Sequence, residues 1–424
     1  MTMRNPWVAG LLVCVSVTAA ADQRVVTNLT MDAAVALAVR DNAELKSLRA
    51  GWEAMRERPA QAGALPNPMF TYSGMDTAGG GAWPDTGEKR VMVQQEFPWA
   101  GKRGLREGMA AKEAEVARYE LEAMTRDVVM RVKESYYDLY AVQRVIAITR
   151  EEEEVVRRVE KIAGTLYATG ERAQVDVIKA RTEITLLKQK LWEAQTREST
   201  LKAGLNLLLN RRADEPLGPA VTPPEAGFHG GLEALLALSA TNRPEIQGAR
   251  AQVERVELER KLMAKESVPD YKLGLEYRDV GAGDDMVMVT VGVDWPLWRT
   301  KNRAGVREAV KRRASSEAAR DAAQRQAAFE VQEASFKLQT ARRTLELYRA
   351  ELIPQAEARF TASKAGYGTG KVDFMDLLES ERFLLDARRM TVMAEGAVGM
   401  QAARLERAVG APLFANSAAE GEGK

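Results

Sequence analysis

The chain has 424 residues, with 61 Lys and Arg against 60 Asp and Glu, so its formal charge is +1. That balance argues against a basic nucleic-acid binder, and no nucleic acid is expected among its partners. One histidine, His229, and one cysteine, Cys14, cannot build a zinc finger, a Cys-His nucleophile pair or a multi-histidine metal centre, so no metal site, cofactor or enzyme activity is expected.

From the start of the chain, Arg4 precedes an apolar run from Trp7 to Val17, and Ala19-Ala20-Ala21 supplies small residues for cleavage. Residues 1–21 therefore read as a secretory signal peptide. The run is too short to span a bilayer, and no later stretch holds the ~18 uncharged apolar residues of a membrane helix. Cys14 follows Val13 rather than a small residue, so lipidation there is not expected. The exported chain then carries no cysteine.

Residues 22–215 read as one structural repeat. A medium helix spans Met31 to Met55, two strands lie within 69–76 and 90–99, and a very long helix runs from Lys102 to about Ile162. A glycine-marked turn leads to a last helix, Ala173 to Asn210. A Pro/Gly-rich linker, 216–231, holds His229, which reads as solvated. The same order then returns over 232–411: a helix from Leu232 to Met263, strands within 271–278 and 286–296, a long helix from Lys301 to about Phe360, and a last helix from Val372 to Val409. Residues 412–424 read as a disordered tail. The duplication is visible in the residues. Tyr167-Ala168-Thr169-Gly170 recurs as Tyr367-Gly368-Thr369-Gly370, and Asp176 and Asp376 follow the two glycines at the same offset of 200. Phe97-Pro98-Trp99 answers Trp295-Pro296-Leu297 at an offset of 198. Fixed-period self-similarity is the mark of a repeated architecture.

In the last helix of the first copy Val177, Ala180, Ile184, Leu187, Leu191, Ala194, Leu201, Leu205 and Leu208 follow a 3-4 alternation that only Glu198 breaks. That is the seam of helices packed side by side. The helix before it carries Val128, Val132, Leu139, Val142 and Ile146 on a similar seam, and at ~1.5 Å per residue it reaches about 90 Å. Helices alone would suit a periplasmic scaffold. The strands favour another class. Val287, Val289, Val291 and Val293 share one face, as do Leu273 and Leu275, with polar residues between them and aromatic residues at the strand ends. In an exported chain this alternation matches a membrane β-barrel whose outer face meets lipid. Four strands cannot close a barrel, and open edges are not tolerated in lipid, so several chains share one. Three chains give twelve strands and room for a channel.

These features resemble the TolC-like outer-membrane efflux proteins: the duplication, the order helix-strand-strand-helix-helix, the strand-end prolines, and the turns Gly170 to Asp176 and Gly370 to Asp376. The resemblance implies a mainly α fold with a small β part. Long helical hairpins would form a periplasmic α-barrel, and four strands per chain would contribute to a trimeric, twelve-stranded outer-membrane β-barrel. It also implies a passive conduit working with a periplasmic adaptor (membrane fusion) protein and an inner-membrane pump of the RND type. The segment Gln95-Glu96-Phe97-Pro98-Trp99-Ala100-Gly101-Lys102-Arg103 looks like the cobalt-zinc-cadmium resistance, CzcC-like, branch, which implies heavy-metal cations as cargo. Drug efflux and type I protein secretion remain the alternatives.

By the same resemblance the periplasmic gate falls on Asp376 and Glu379, with Asp176 in the first copy and Arg172 and Lys371 as cationic partners. Helix capping is the other reading of these acids. The docking tips for the adaptor are Thr165, Tyr167, Thr169 and Gly170 in the first copy and Tyr367, Thr369 and Gly370 in the second. Glu151 to Glu154, followed by Arg157 and Arg158, read as i,i+4 pairs on a wet helix face. Met92, Met286 and Met288 lie on the polar strand faces; soft thioethers bind Cu(I), but barrel filling is the plainer reading.

Overall fold

The computed structural model describes residues 29–75, 88–170, 173–223, 230–280, 284–369 and 371–413. The signal segment with Cys14, and Arg172, His229 and Gly370, lie outside the described residues.

The first expected helix is three: α1 (Met31–Asp41), α2 (Ala43–Arg56) and α3 (Arg58–Gly63). The break between α1 and α2 is made by Asn42. Its Oδ1 accepts from the amides of Glu44 and Leu45 at 3.0 and 3.1 Å, and its Nδ2 donates to the Leu208 carbonyl at 2.9 Å. A side chain that satisfies the orphan amides of a new helix start makes the restart favourable. The second copy breaks at the matching place by other means. There α6 (Leu232–Asn242) and α7 (Pro244–Lys265) meet at Arg243, and Pro244, with no N–H to offer, opens α7.

Four strands form one antiparallel sheet in chain order: β1 (Met69–Met75), β2 (Glu88–Phe97), β3 (Asp270–Asp279) and β4 (Met286–Asp294). β2 and β4 stop short of the expected Trp99 and Pro296, because Pro98 and Pro296 cannot donate to a ladder. The register aligns Phe70, Val93, Leu275 and Val289 in one row and Tyr72, Val91, Tyr277 and Val287 in the next. Leu273 with Val291 and Tyr271 with Val293 continue the same face. It is apolar and uncovered in the single chain: Val289 is 65% exposed and Val291 71%. The opposite face is wet, with Arg90 paired to Glu276 at 3.2 Å and Arg278 to Glu88 at 3.1 Å.

The corner between sheet and helices is fixed by a buried charge. Lys102 opens α4 (Lys102–Ala168) and donates to the Asp270 carboxylate at 2.9 Å and the Val268 carbonyl at 3.0 Å. Asp270 also accepts the Trp99 amide at 2.6 Å. One carboxylate thus ties the strand-helix corner of the first copy to the strand start of the second.

α4 packs along α5 (Gln174–Leu208): Val128, Val132, Leu139, Val142 and Ile146 of the α4 seam are buried, and of the α5 seam Val177, Ala180, Ile184, Leu187 and Leu205 are buried while Leu191, Ala194, Leu201 and Leu208 are half-buried. The seam breaker Glu198 accepts from Gln143 Nε2 at 3.0 Å and pairs with Lys202 at 2.7 Å. Burial works to raise its pKa, but the hydrogen bonds from Lys202 and Gln143 outweigh it, so the carboxyl sits below its ordinary value. A polar residue inside a seam is tolerable when it is so satisfied.

In the second copy α8 (Arg299–Leu347) passes into a π-helical turn (Tyr348–Leu352), then α9 (Ile353–Gly368) and α10 (Phe374–Val409). Both long segments run past the expected ends near Ile162 and Phe360. Thr165, Tyr167 and Tyr367 therefore stand in last helical turns, not in the connecting turns.

Candidate periplasmic gate and docking tips

The far ends of the two hairpins lie against each other. Val156 of α4, Ile184 and Leu187 of α5, and Phe374 and Leu378 of α10 form one buried cluster, with Val159, Tyr367 and Met375 packed on it. Tyr367 and Phe374 meet with ring centroids 6.1 Å apart. The turn leading into α10 is closed by the Gly366 carbonyl, which accepts the Lys371 amide at 2.9 Å and the Val372 amide at 3.3 Å. A Cβ on Gly366 would stand 2.4 Å from Val372 Cγ2, so the valine needs a glycine beneath it. At the matching positions the first copy has Leu166 and Arg172, so both members of the contact differ together.

The helix-start amide of α10 is capped by Asp373, whose Oδ1 accepts from Phe374 N at 2.7 Å. Asp376 is exposed in the first turn, one turn on from that cap. Glu379 is exposed too, on the same side of α10, and Arg359 of α9 reaches it at 3.2 Å. The same guanidinium lies over the Phe383 ring, 5.3 Å from its centroid. Lys371 is exposed in the bend before α10. The structure thus brings Glu379 to Arg359, a cation the gate reading did not include, while Arg172 lies outside the described residues. Asp176 is half-buried in the first turn of α5, which begins after Ala173 with no side-chain cap.

At the first tip Thr165 and Thr169 are exposed, and their hydroxyls donate to the carbonyls of Lys161 and Leu166, each at 3.1 Å. Gly170 adopts φ +78°, the left-handed region that glycine enters without cost. Around it Ile162, Tyr167, Val175 and Ile178 are all exposed. At the second tip Thr369 is exposed and bonds the Gly366 carbonyl at 3.1 Å, but Tyr367 and Val372 are turned inward. Gly370 lies outside the described residues.

Behind the tips glutamates of α4 and α5 meet arginines of α10, Arg382, Arg388 and Arg389, that the sequence reading did not single out. Arg389 of α10 bonds Glu152 of α4 and its own neighbour Asp386, and Arg382 of α10 pairs with Glu183 of α5. Arg388 approaches Glu151 and Glu357 at 3.8 Å. The expectation of i,i+4 pairs on a wet face holds for Glu153 with Arg157, at 2.6 Å, but Glu152 is buried and serves the other copy. Glu381 sits among them. Burial raises its pKa, and the charge of Glu152 adds to that, while Arg158 and Lys364 partly offset it. The spacing of seven between Arg382 and Arg389 was the available signal, since it puts both on one helix face.

A sequence-family model described as outer membrane efflux protein matches residues 34–211 and 235–411. The chain belongs to this family. Among curated proteins it is similar to the cobalt-zinc-cadmium resistance protein CzcC of Cupriavidus metallidurans, 23% identical over 391 residues, covering 90% of each chain. Among solved structures it is similar to CusC, with a TM-score of 0.77 at 16% identity, covering 90% of this chain and 92% of that one. A membrane protein from Pseudomonas aeruginosa gives 0.77 at 18% identity, covering 90% of each. The outer membrane protein VceC of Vibrio cholerae gives 0.74 at 18%, covering 90% of this chain and 96% of that one. This outer membrane efflux protein accordingly has the TolC-like architecture, with long helices forming a periplasmic barrel beside a small four-stranded sheet. It is an outer-membrane channel with a long periplasmic extension, and its work is passage rather than catalysis.

Proposed function

We propose that three copies of this chain close a twelve-stranded barrel and form the outer-membrane part of a tripartite system that exports heavy-metal cations. One observation carries the reading of assembly. The sheet has two free edges, on β1 and β4, and one largely apolar face across its four strands, interrupted on β2 by Gln95 beside Leu273. Free edges in lipid must be paired, and an apolar face that wide needs a hydrocarbon neighbour. A periplasmic adaptor docks on the tips, chiefly on the first, where Ile162, Tyr167, Val175 and Ile178 are exposed around Thr165, Thr169 and Gly170. An RND-type pump in the inner membrane supplies the energy and the choice of cargo. The gate is the carboxylate pair Asp376 and Glu379 from each copy, with Asp176 behind it and Arg359, Lys371 and Arg172 as its cations.

The metal cargo is supported by the likeness to CzcC along 90% of the chain. Deletion of the gene tests it. Sensitivity to zinc, cobalt or cadmium should rise more than sensitivity to dyes and detergents; the opposite ranking would mean drug export. Membrane-extracted protein should migrate as a heat-modifiable trimer, and a detergent-free soluble monomer would end the barrel reading.

A further inference from the structure

Met286 and Met288 alternate along β4 with Val287 and Val289, so both thioethers project from the face opposite the lipid-facing valines. Two residues apart on one strand, their Cα atoms are separated by about 7 Å, a span that two flexible thioether side chains can close around one ion. Met286 and Met288 are 47% and 44% exposed on the edge strand of the single chain, and in a closed ring β1 of the next copy flanks them in the plane of the sheet.

We propose that Met286 and Met288 form a binding site for a soft monovalent cation, Cu(I) or Ag(I), on the lumenal wall of the barrel. The proposal rests on the reading that this sheet lines a pore. Thioether donors select soft ions and leave zinc and cobalt, which take imidazole, thiolate and carboxylate, without a ligand set. Among the described residues no group of His, Cys, Asp and Glu could hold a metal instead. The surroundings do not repel a cation. Met288 faces Glu276 across the β3–β4 ladder, and Met286 faces Arg278, whose charge is held by Glu276 and Glu88, each at 3.1 Å. Met92 lies on the far side of Glu276 in the same row. β4 is also the free edge, which meets β1 of the next copy in a closed ring, and β1 carries Met69 on the same face. A third thioether therefore belongs to the same boundary.

The test uses the detergent-extracted full-length protein, Ag(I) as the probe, and mild peroxide oxidation read residue by residue as methionine sulfoxide. With Ag(I) near ten times its Kd, about one site in ten stays free, so oxidation at Met286 and Met288 should slow about tenfold. Zn(II) should give no protection. Met286→Leu with Met288→Leu should abolish saturable Ag(I) binding while the trimer still assembles. Equal protection at the exposed Met390 and Met393, protection by Zn(II), or unchanged oxidation would overturn the site. Wild-type protein that conducts in planar bilayers yet shows no protection sinks this inference alone; protein that forms no pore sinks the channel reading with it.

Discussion

The two copies share a plan but differ in their long helices. α4 is one α-helix of 67 residues, while its counterpart is divided into α8, a π-helical turn and α9. Pro354 explains the difference. It cannot donate to the residue four back, and its ring crowds the carbonyl of Ala350, which lies inside the π turn. At the matching position the first copy has Glu154, exposed and undemanding. The offset between copies also grows from 198 at the strand-end prolines to 200 at the glycine turns, so the second segment holds two more residues. A wider turn closed i to i+5 takes up part of that surplus. Duplication followed by divergence has left a stiff rod in one half and a jointed one in the other. The jointed segment ends at Gly368, and the turn after it leads into α10, which carries the proposed gate acids Asp376 and Glu379.

The contact between the halves should be the most sensitive point. Arg389→Ala would leave the Glu152 carboxylate, only 2% exposed, without its cation. Removing one partner of a buried pair costs about 3–5 kcal/mol, because the other charge stays buried. The variant should release α10 from α4, lower the thermal midpoint and raise open probability in planar bilayers. Unchanged gating would mean that the two hairpins are held by the apolar cluster around Val156 and Phe374 alone.

The rod and the joint can be exchanged. Glu154→Pro puts a proline where α4 has no widened turn and should cost roughly 3 kcal/mol, read as a lower thermal midpoint of the extracted protein. Pro354→Ala removes the cause of the π turn and should cost far less. Equal losses for the two substitutions would remove the distinction between the copies.

Much of this arrangement was legible because it is local. The seams of α4 and α5 are periodic, the strands alternate, and the copies repeat at a nearly constant spacing. The α10 cap was missed: the expected helix began at Val372 and capping was weighed at Asp376, whereas Asp373, directly before the apolar Phe374, is the cap. The break at Asn42 was harder, because half of its cause is the Leu208 carbonyl, 166 residues away. Glu152 and Arg389 are 237 residues apart, and nothing within either segment says that they meet. Local patterning gives elements and faces; contacts between distant hairpins come from packing, which one sequence does not spell out.

The pH response sharpens the same contact. Glu381 has its pKa raised, first by burial and then by Glu152, with Glu151 adding and Arg158 and Lys364 opposing. A raised carboxyl pKa means that the docked state binds the proton more tightly than the free one. Docking of α10 should therefore strengthen as pH falls from the raised value toward the ordinary 4.5, and weaken as pH rises through the raised value. Open probability should fall on mild acidification, and Glu381→Gln should flatten that dependence. A slope unchanged in the variant would assign the response elsewhere.

The smallest change in stability should come from the gate acids. Glu379 and Arg359 are both well exposed, and such a pair contributes about 0.2–1 kcal/mol. The α10 amide is already capped by Asp373, so Asp376→Ala with Glu379→Ala should leave folding nearly as it was. Their effect should appear in permeation instead. Carboxylates gathered from three copies at a narrow entrance attract cations, so the alanine pair should weaken divalent-cation block of single-channel current and reduce cation selectivity. Arg359→Ala should act in the opposite sense, because it unmasks the charge of Glu379 and should deepen the block. The two variants together separate gating from simple support of the helix dipole. If neither block nor selectivity moves in either variant, these acids serve the start of α10, and the constriction lies deeper, among Glu381, Glu152 and Arg389, where the two hairpins meet.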